Sequence, residues 1–276
     1  NGHTLSNLTN LSLFNSVTGT IENLTIQNFT NIGTATTDDV TAFIKLTNGA
    51  TLRNLKFENI TLQGRHRVAV VASFDNANST FENISVKNAN VKGSGVYVST
   101  FIGRKYGGAI RNVFVEGTME ITTTENGGIV GAFQKGGTLE NVVSKVNIVK
   151  TGNTYSPVDK SEYNGGIVGN IYDNPTIRNS IALGNMEGFT TADGEEKIPY
   201  KVTGAAVASI LASIENVYEY VGSHGFSSIV EETASKIKEA TEEQIHTKSF
   251  YKDTLYFDET IWNLDRVETN GYPELR

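Results

Sequence analysis

The chain has 276 residues, a formal net charge of −7 and a pI near 5.2, which argues against nucleic acid or an anionic membrane as its main partner. No apolar run reaches the ~18 residues that a transmembrane helix needs, and the lack of cysteine excludes disulfides and thiolate metal sites. The chain starts at Asn1, inside a repeat-like segment and without an initiator methionine or signal peptide. We therefore expect it to be a piece of a longer protein.

A motif of an apolar residue, any residue, asparagine and usually a second apolar residue occurs eight times. Successive motif asparagines are 16, 31, 29, 29, 29, 38 and 37 residues apart. Repeats of about 20–50 residues are typical of solenoids and propellers, in which each unit buries its apolar face against its neighbours. The motif asparagines are Asn7, Asn23, Asn54, Asn83, Asn112, Asn141, Asn179 and Asn216.

Short runs of alternating apolar and polar residues follow each motif asparagine, and a run of small and β-branched residues precedes it. Such runs, bounded by Asn and Gly, are typical of strands. A unit of 29 residues is too short for a propeller blade of about 40–50 residues. We therefore predict an all-β solenoid, a right-handed parallel β-helix of about eight coils over residues 1–226.

Asparagine suits the corner of such a coil, because it tolerates left-handed backbone and its amide can bond to the same position one coil away. The prediction is a structural column of stacked, hydrogen-bonded asparagines. Its members are Asn23, Asn54, Asn83, Asn112, Asn141, Asn179 and Asn216.

The repeat lengthens where two insertions, residues 150–163 and 187–201, enter the same sector of adjacent coils. Insertions on one face of a solenoid often mark its binding face, and aromatic residues are enriched at interface hot spots. We predict a partner-binding face here, and solvated loops without a partner are the equal alternative. The candidate residues are Tyr155, Asp159, Lys160, Tyr163, Phe189, Glu195, Lys197 and Tyr200.

The repeat pattern ends near residue 226. Residues 228–231 and 241–244 fit capping boxes, and Ile229, Val230, Ala234 and Ile237 follow helical spacing. An open end of a parallel stack would recruit other strands. We therefore predict that residues 227–276 form a small helical and aromatic cap over that end. Its aromatic residues are Phe250, Tyr251, Tyr256, Phe257, Trp262 and Tyr272.

Sequence motifs that would indicate catalysis are weak in this chain. His3, His66, His224 and His246 have no paired metal-ligand spacing, so we expect no zinc, no other cofactor and no catalytic residue in this chain. The acidic pairs and runs at 38–39 and 193–196 are interpreted as solvated turns. The basic spots at 65–67 and 104–105 are interpreted as ordinary surface charge.

Residues 126–131 and 164–169, both Asn-Gly-Gly-Ile-Val-Gly, resemble the GLUG-type repeats of bacterial surface proteins. Residues 2–5, 262–264 and 271–275 resemble the start and end of such arrays. Combined with the Ile-Glu-Asn-Leu steps, as at residues 21–24, they make the chain most similar to the N-terminal, non-catalytic region of the IgA1-specific zinc metalloproteases of Gram-positive cocci and their paralogues. In that family the zinc motif lies in a separate C-terminal domain, and no position here matches it.

The resemblance implies a secreted or cell-wall-attached, monomeric module without hydrolytic activity. Its role would be to engage immunoglobulin A or to position other domains of the parent protease. One alternative is a solenoid module of an adhesin that carries no protease. A second alternative is a carbohydrate-active β-helix, because many parallel β-helices act on polysaccharides.

Overall fold

The computed structural model describes residues 2–151, 163–189, 202–206, 213–220 and 236–276. Over these residues the chain is mostly β-strand and forms two long parallel sheets, consistent with the predicted parallel β-helix. The chain alternates between the two sheets as it advances. Among the described residues, no helix is long and apolar enough to cross a lipid bilayer.

The larger sheet, called here the long sheet, has ten strands that pair in parallel. Strands are numbered in chain order. They are β1 (His3–Ser6), β3 (Thr20–Ile32), β5 (Thr51–Gly64), β7 (Thr80–Gly93), β9 (Ala109–Ile121), β12 (Thr138–Lys150), β15 (Thr176–Ala182), β18 (Ser213–Tyr220) and β19 (Ile237–Ala240), with β16 (Met186–Glu187) also pairing with β12.

The smaller sheet, called here the short sheet, has seven parallel strands, and a two-stranded parallel pair lies beside it. The strands of the short sheet are β2 (Phe14–Val17), β4 (Ile44–Thr47), β6 (Ala72–Asp75), β8 (Ile102–Tyr106), β11 (Val130–Gln134), β14 (Val168–Ile171) and β17 (Thr203–Ala206). The pair consists of β10 (Asn126–Gly127) and β13 (Asn164–Gly165).

The space between the two sheets is filled by one continuous apolar cluster. Equivalent residues of successive long-sheet strands pair directly, as Leu52 does with Phe81 and Ile110 with Leu139, and all four are fully buried. Burial of apolar surface contributes roughly 25 cal/mol per Å² to the stability of the folded state. The apolar residue two positions before each motif asparagine therefore supplies a column of this core.

The motif asparagines turn the chain in the left-handed region, with φ between 50° and 58°. Five of their side chains form a ladder in which Nδ2 donates to the Oδ1 of the preceding coil, at 3.0 Å from Asn112 to Asn83 and 3.2 Å from Asn141 to Asn112. The same bond joins Asn54 to Asn23, Asn83 to Asn54 and Asn216 to Asn179. The ladder is interrupted after Asn141, whose Oδ1 is buried without a hydrogen bond.

The residue before each motif asparagine forms a second column, on the outside of the long sheet, in which charge alternates along the stack. Its members pair across neighbouring strands, so that Glu140 bonds with both Arg111 and Arg178. Opposite charges on adjacent strands stabilise one register and disfavour a slip. In chain order the column reads Glu22, Arg53, Glu82, Arg111, Glu140, Arg178 and Glu215.

The C-terminal segment, residues 241–276, is called here the strap. The predicted capping box is present: Thr241 accepts a hydrogen bond from the backbone of Gln244, whose side chain bonds back to Thr241 N. The elements of the strap are α1 (Glu242–Ile245), a π-helical turn (Phe250–Thr254), α2 (Val267–Asn270), and an antiparallel pair formed by β20 (Trp262–Asn263) and β21 (Glu274–Leu275).

The strap lies along the outer face of the long sheet, which differs from the predicted cap over its end. The residue two positions after each motif asparagine points outward, and we call these residues the outer column. Its last four members are apolar and pack beneath the strap. From β3 to β18 the column reads Thr25, Lys56, Ser85, Phe114, Val143, Ile181 and Tyr218.

Contacts along the strap show how far it reaches back. Tyr272 stacks on Phe114 with the ring centroids 5.6 Å apart, and Lys87 pairs with Glu274 at 2.9 Å. Ile237, which was predicted to be helical, lies in β19 and extends the long sheet beside Val217. The helical prediction is wrong at Ile237, since the main chain there completes backbone bonds to the sheet. The other predicted helical positions, 229, 230 and 234, lie outside the described residues.

Candidate functional site

Most of the predicted partner-binding face lies outside the described residues. This is the case for Tyr155, Asp159, Lys160, Glu195, Lys197 and Tyr200.

The two remaining candidates of that face lie within the described residues. Tyr163 is half-buried, and its carbonyl accepts a hydrogen bond from Asn126 N at 3.1 Å. Phe189 is only 4% exposed and belongs to the apolar cluster between the sheets, with Lys150 Nζ 5.7 Å from its ring centre. The prediction of a surface role for Phe189 therefore needs correction, because the ring is packed into the core.

A column of turns runs alongside the short sheet. Asp39, Arg67, Tyr97 and Glu125 all have left-handed backbone, with φ of 55°, 52°, 64° and 61°. Backbone hydrogen bonds join each turn to the next, such as the one from Tyr97 N to Glu125 O at 2.9 Å. The sequence analysis missed this column because its residue types differ from coil to coil. Only their spacing of about 28–30 residues gave a signal.

A cation–aromatic cluster lies on the outer side of the short sheet next to these turns. The guanidinium of Arg104 lies 4.8 Å from the ring centre of Tyr106, 5.3 Å from that of Tyr97 and 5.5 Å from that of Phe74. Lys135 Nζ lies 4.2 Å from the ring centre of Tyr106. Each such contact contributes about 0.5–2 kcal/mol. Arg104 is therefore held rigidly among three rings.

Glu125 lies next to this cluster. Its carboxylate accepts hydrogen bonds from the Tyr172 hydroxyl at 2.5 Å and from Asn170 Nδ2 at 3.2 Å. Burial raises the pKa of Tyr172, and the neighbouring Glu125 raises it further. Burial also raises the pKa of Tyr97, and the negative charge of Glu125 raises it further. Both phenols therefore remain protonated hydrogen-bond donors to a higher pH than an exposed tyrosine would.

Two bidentate ion pairs connect neighbouring coils at the upstream end of the turn column. Arg65 holds Asp38 through two bonds of 2.9 Å, and Arg67 holds Asp39 at 2.5 and 3.0 Å. The hydrogen bond from Arg65 lowers the pKa of Asp38 to about 2, against an opposing effect of burial. The acidic and basic residues at 38–39 and 65–67, interpreted from the sequence as separate surface charges, are therefore partners across coils.

A groove of about 370 Å³ lies on the outer side of the short sheet, next to the Arg67–Asp39 pair and Arg104. Lys45 is exposed at its edge, while the two arginines and Phe74 form its wall. The groove combines positive charge with an aromatic surface, a combination that suits a partner presenting carboxylates on an apolar or ring-shaped framework. Its lining residues are Asp39, Lys45, Leu46, Arg67, Phe74 and Arg104.

No group of three or more His, Cys, Asp or Glu that could hold a metal ion occurs within the described residues. His66 accepts a hydrogen bond from Val96 N at Nδ1, and His246 bonds with Glu268 O and pairs with Glu242. These two histidines therefore serve local turns and the strap.

The chain was compared with models of protein families, with curated proteins and with solved structures, and none of the three comparisons found a match.

Proposed function

We propose that this chain is a non-catalytic module of a secreted or cell-wall-attached bacterial zinc metalloprotease of the IgA-protease type. The GLUG-like motifs at residues 126–131 and 164–169 support this assignment. The module would be a right-handed β-helix of about eight coils, a rod roughly 35–40 Å long at the strand spacing of about 4.8 Å. Zinc would belong to a separate catalytic domain of the parent protein.

Its contribution would be to engage the substrate or to position the domains of the protease. The observation that carries this proposal is the groove on the short sheet, where Lys45 and Arg104 bring positive charge beside the Arg67–Asp39 pair on a chain of net charge −7. Rigid backbone ladders hold the groove in place, so little conformational entropy is lost when a partner binds. A partner with exposed carboxylates, such as an acidic segment of immunoglobulin or of the parent protease, fits this surface.

A binding measurement tests the proposal. Titration calorimetry of the module against immunoglobulin A, and against the remaining domains of the parent protease, should show binding that weakens as salt rises. Lys45→Glu should weaken it about tenfold, a loss of about 1.4 kcal/mol. Lys56→Glu is the matched control, because Lys56 is an exposed lysine on the long sheet. Equal affinity of both variants, or no binding to either partner, would refute a role for this groove.

Acidic polysaccharides form a second candidate class of partner, because the same groove offers aromatic faces beside its cations. If the module bound oligomers of uronic acids but neither protein partner, the adhesin or carbohydrate-active alternative would be favoured. Reading the chain downstream for a His-Glu-x-x-His motif separates the adhesin from the protease. Appearance of shorter sugar products during incubation would identify a carbohydrate-active protein.

A further inference from the structure

A lysine and an aspartate face each other in the interior of the rod, away from the groove. Asp75 on β6 and Lys105 on β8 are register partners on adjacent coils, and both are fully buried. Lys105 Nζ lies 2.6 Å from Asp75 Oδ2. Residues 104–105 were predicted to be ordinary surface charge, and for Lys105 this is wrong because its side chain points inward.

Hydrogen-bond donors surround the carboxyl of Asp75. Its Oδ1 accepts from Ser79 Oγ at 2.6 Å and from Thr47 Oγ1 at 3.0 Å, and its Oδ2 accepts from Ser79 N at 3.2 Å. Lys105 Nζ also donates to the carbonyl of Ser79 at 2.8 Å, and it lies 4.9 Å from the ring centre of Phe81. The amine and the carboxyl are thus fixed against each other in a dry, partly aromatic site.

Burial makes the neutral amine of Lys105 more accessible. Taking two charges out of water is costly, and one proton transfer from Nζ to Oδ2 removes both. Burial lowers the pKa of Lys105 to about 8, even though Asp75 acts in the opposite direction. A neutral amine is a nucleophile, whereas an ammonium group is not.

We propose that Lys105 and Asp75 condense into an intramolecular isopeptide bond that covalently joins two adjacent coils. After the proton has moved to Oδ2, the Nζ lone pair attacks Cγ, and the C=O electron pair moves onto Oδ1. A second proton passes from nitrogen to Oδ2, the Cγ–Oδ2 bond breaks, and water leaves as the C=O bond re-forms at Oδ1. The sum is amine plus carboxylic acid giving amide plus water, with no oxidant or reductant.

Two features of the site favour this condensation. The hydroxyl groups of Ser79 and Thr47 already point at Oδ1, where negative charge develops, and such donors typically lower barriers by a few kcal/mol. The fold also holds the reacting groups together, and well-oriented intramolecular reactions reach effective concentrations of about 10⁵–10⁸ M. The released water leaves a site from which solvent is excluded, so hydrolysis back to the ion pair is disfavoured.

Mass spectrometry of the wild-type protein tests the proposal without a variant that has to fold. Under denaturing conditions, the intact mass should be about 18 Da below the mass of the sequence, because one water is lost. A tryptic digest should contain one branched peptide in which residues 68–87 are linked through Asp75 to residues 105–111 through Lys105.

Lys105→Arg is the control, since it keeps the positive charge but cannot form this amide. Dehydration at the Asp193-Gly194 sequence would also remove one water, but that loss would persist in the control. Loss of water in the wild type alone, together with the branched peptide, supports the bond. A wild-type mass equal to that of the sequence, or a loss of water without the branched peptide, would show that Asp75 and Lys105 form only an ion pair.

Discussion

The upstream and downstream parts of the long sheet share one backbone pattern but differ on their outer face. Upstream, the outer column carries Thr25 and Lys56, which are accessible to solvent. Downstream, the same positions carry Val143 and Ile181, which are fully buried beneath the strap. The repeat therefore specifies where each side chain points, while the strap determines whether that direction leads to water or to a second core.

Ser85 marks the border between the two parts. It lines a groove of about 230 Å³ together with Ile261, Leu275 and Arg276, at the place where the strap ends. One coil further on, Phe114 begins the apolar stretch of the column. The outer column thus becomes apolar at Phe114, one coil after the coil of Ser85 that the end of the strap already contacts.

Among the substitutions that test this comparison, removing the largest side chain of the strap should lower the stability of the protein the most. Trp262 is fully buried and stacks on Phe257 with the ring centroids 4.5 Å apart. Trp262→Ala should lower the free energy of unfolding by about 3–5 kcal/mol, because it leaves a cavity. Urea denaturation followed by circular dichroism measures this change.

The matched control is Tyr256→Ala, since Tyr256 is an aromatic residue of the strap that is 66% exposed. It should change stability by no more than about 0.5 kcal/mol. Equal effects of the two substitutions would mean that the strap has no packed core.

Truncation within the outer column compares the two parts directly. Ile181→Ala should cost about 2–5 kcal/mol, because a fully buried aliphatic side chain is lost under the strap. Lys56→Ala, at the equivalent uncovered position, should cost no more than about 0.5 kcal/mol. Thermal unfolding of both variants gives the difference, and an Ile181→Ala cost as small as that of Lys56→Ala would contradict the second core.

The asparagine ladder should show a smaller difference in stability between an exposed and a buried member. Asn112 is 7% exposed, whereas Asn54 is exposed, and both have positive φ. Asn112→Ala should cost about 1–3 kcal/mol, because neighbouring amides lose a partner in a buried place. Asn112→Gly keeps the left-handed turn accessible, so it isolates the contribution of the side chain.

Denaturation midpoints of Asn112→Ala, Asn112→Gly and Asn54→Ala would be compared. If Asn112→Gly were as stable as the wild type, the ladder bonds would contribute nothing and only the backbone conformation would matter.

The smallest expected effect is on the pH dependence of stability. The pKa of Asp38 is lowered in the folded state from 3.8 to about 2, mainly by the hydrogen bond from Arg65. A lowered carboxyl pKa stabilises the fold at pH values above the unfolded pKa, and this contribution disappears as the pH falls from about 4 to about 2. In Arg65→Met, stability should decline less over that range than in the wild type, as thermal melts at several pH values would show. Identical pH profiles would refute the effect.

The columns of the fold could be predicted from the sequence because one residue type marks them. The motif asparagines, the apolar positions before them and the capping box at Thr241 all stand where the pattern indicated. The charges that alternate from Glu22 to Glu215 support the same alignment of coils, but the sequence analysis did not use them.

The position of the strap and the burial of Lys105 could not be predicted from local pattern, because both depend on what packs against a column. Aligning the repeats places Lys105 beside Asp75 and Phe133 in one column, which could have signalled an inward lysine. In the same way, the change from Lys56 and Ser85 to Phe114 in the outer column could have signalled a cover on the sheet. For the turns beside the groove, only the spacing of about 28–30 residues gave a signal, since these turns share no residue type.

The location of the strap is tested most directly by distances between spin labels. The chain has no cysteine, so pairs of labelled cysteines can replace Lys56 and Arg276 in one protein, and Glu239 and Arg276 in another. Lys56 and Arg276 line one groove, while β5 and β19 are separated by six strand steps of about 4.8 Å, or about 29 Å in all. Double electron–electron resonance should therefore give the shorter distance for the pair at 56 and 276. A shorter distance for the pair at 239 and 276 would contradict the account, because the strap would then cover the end of the stack.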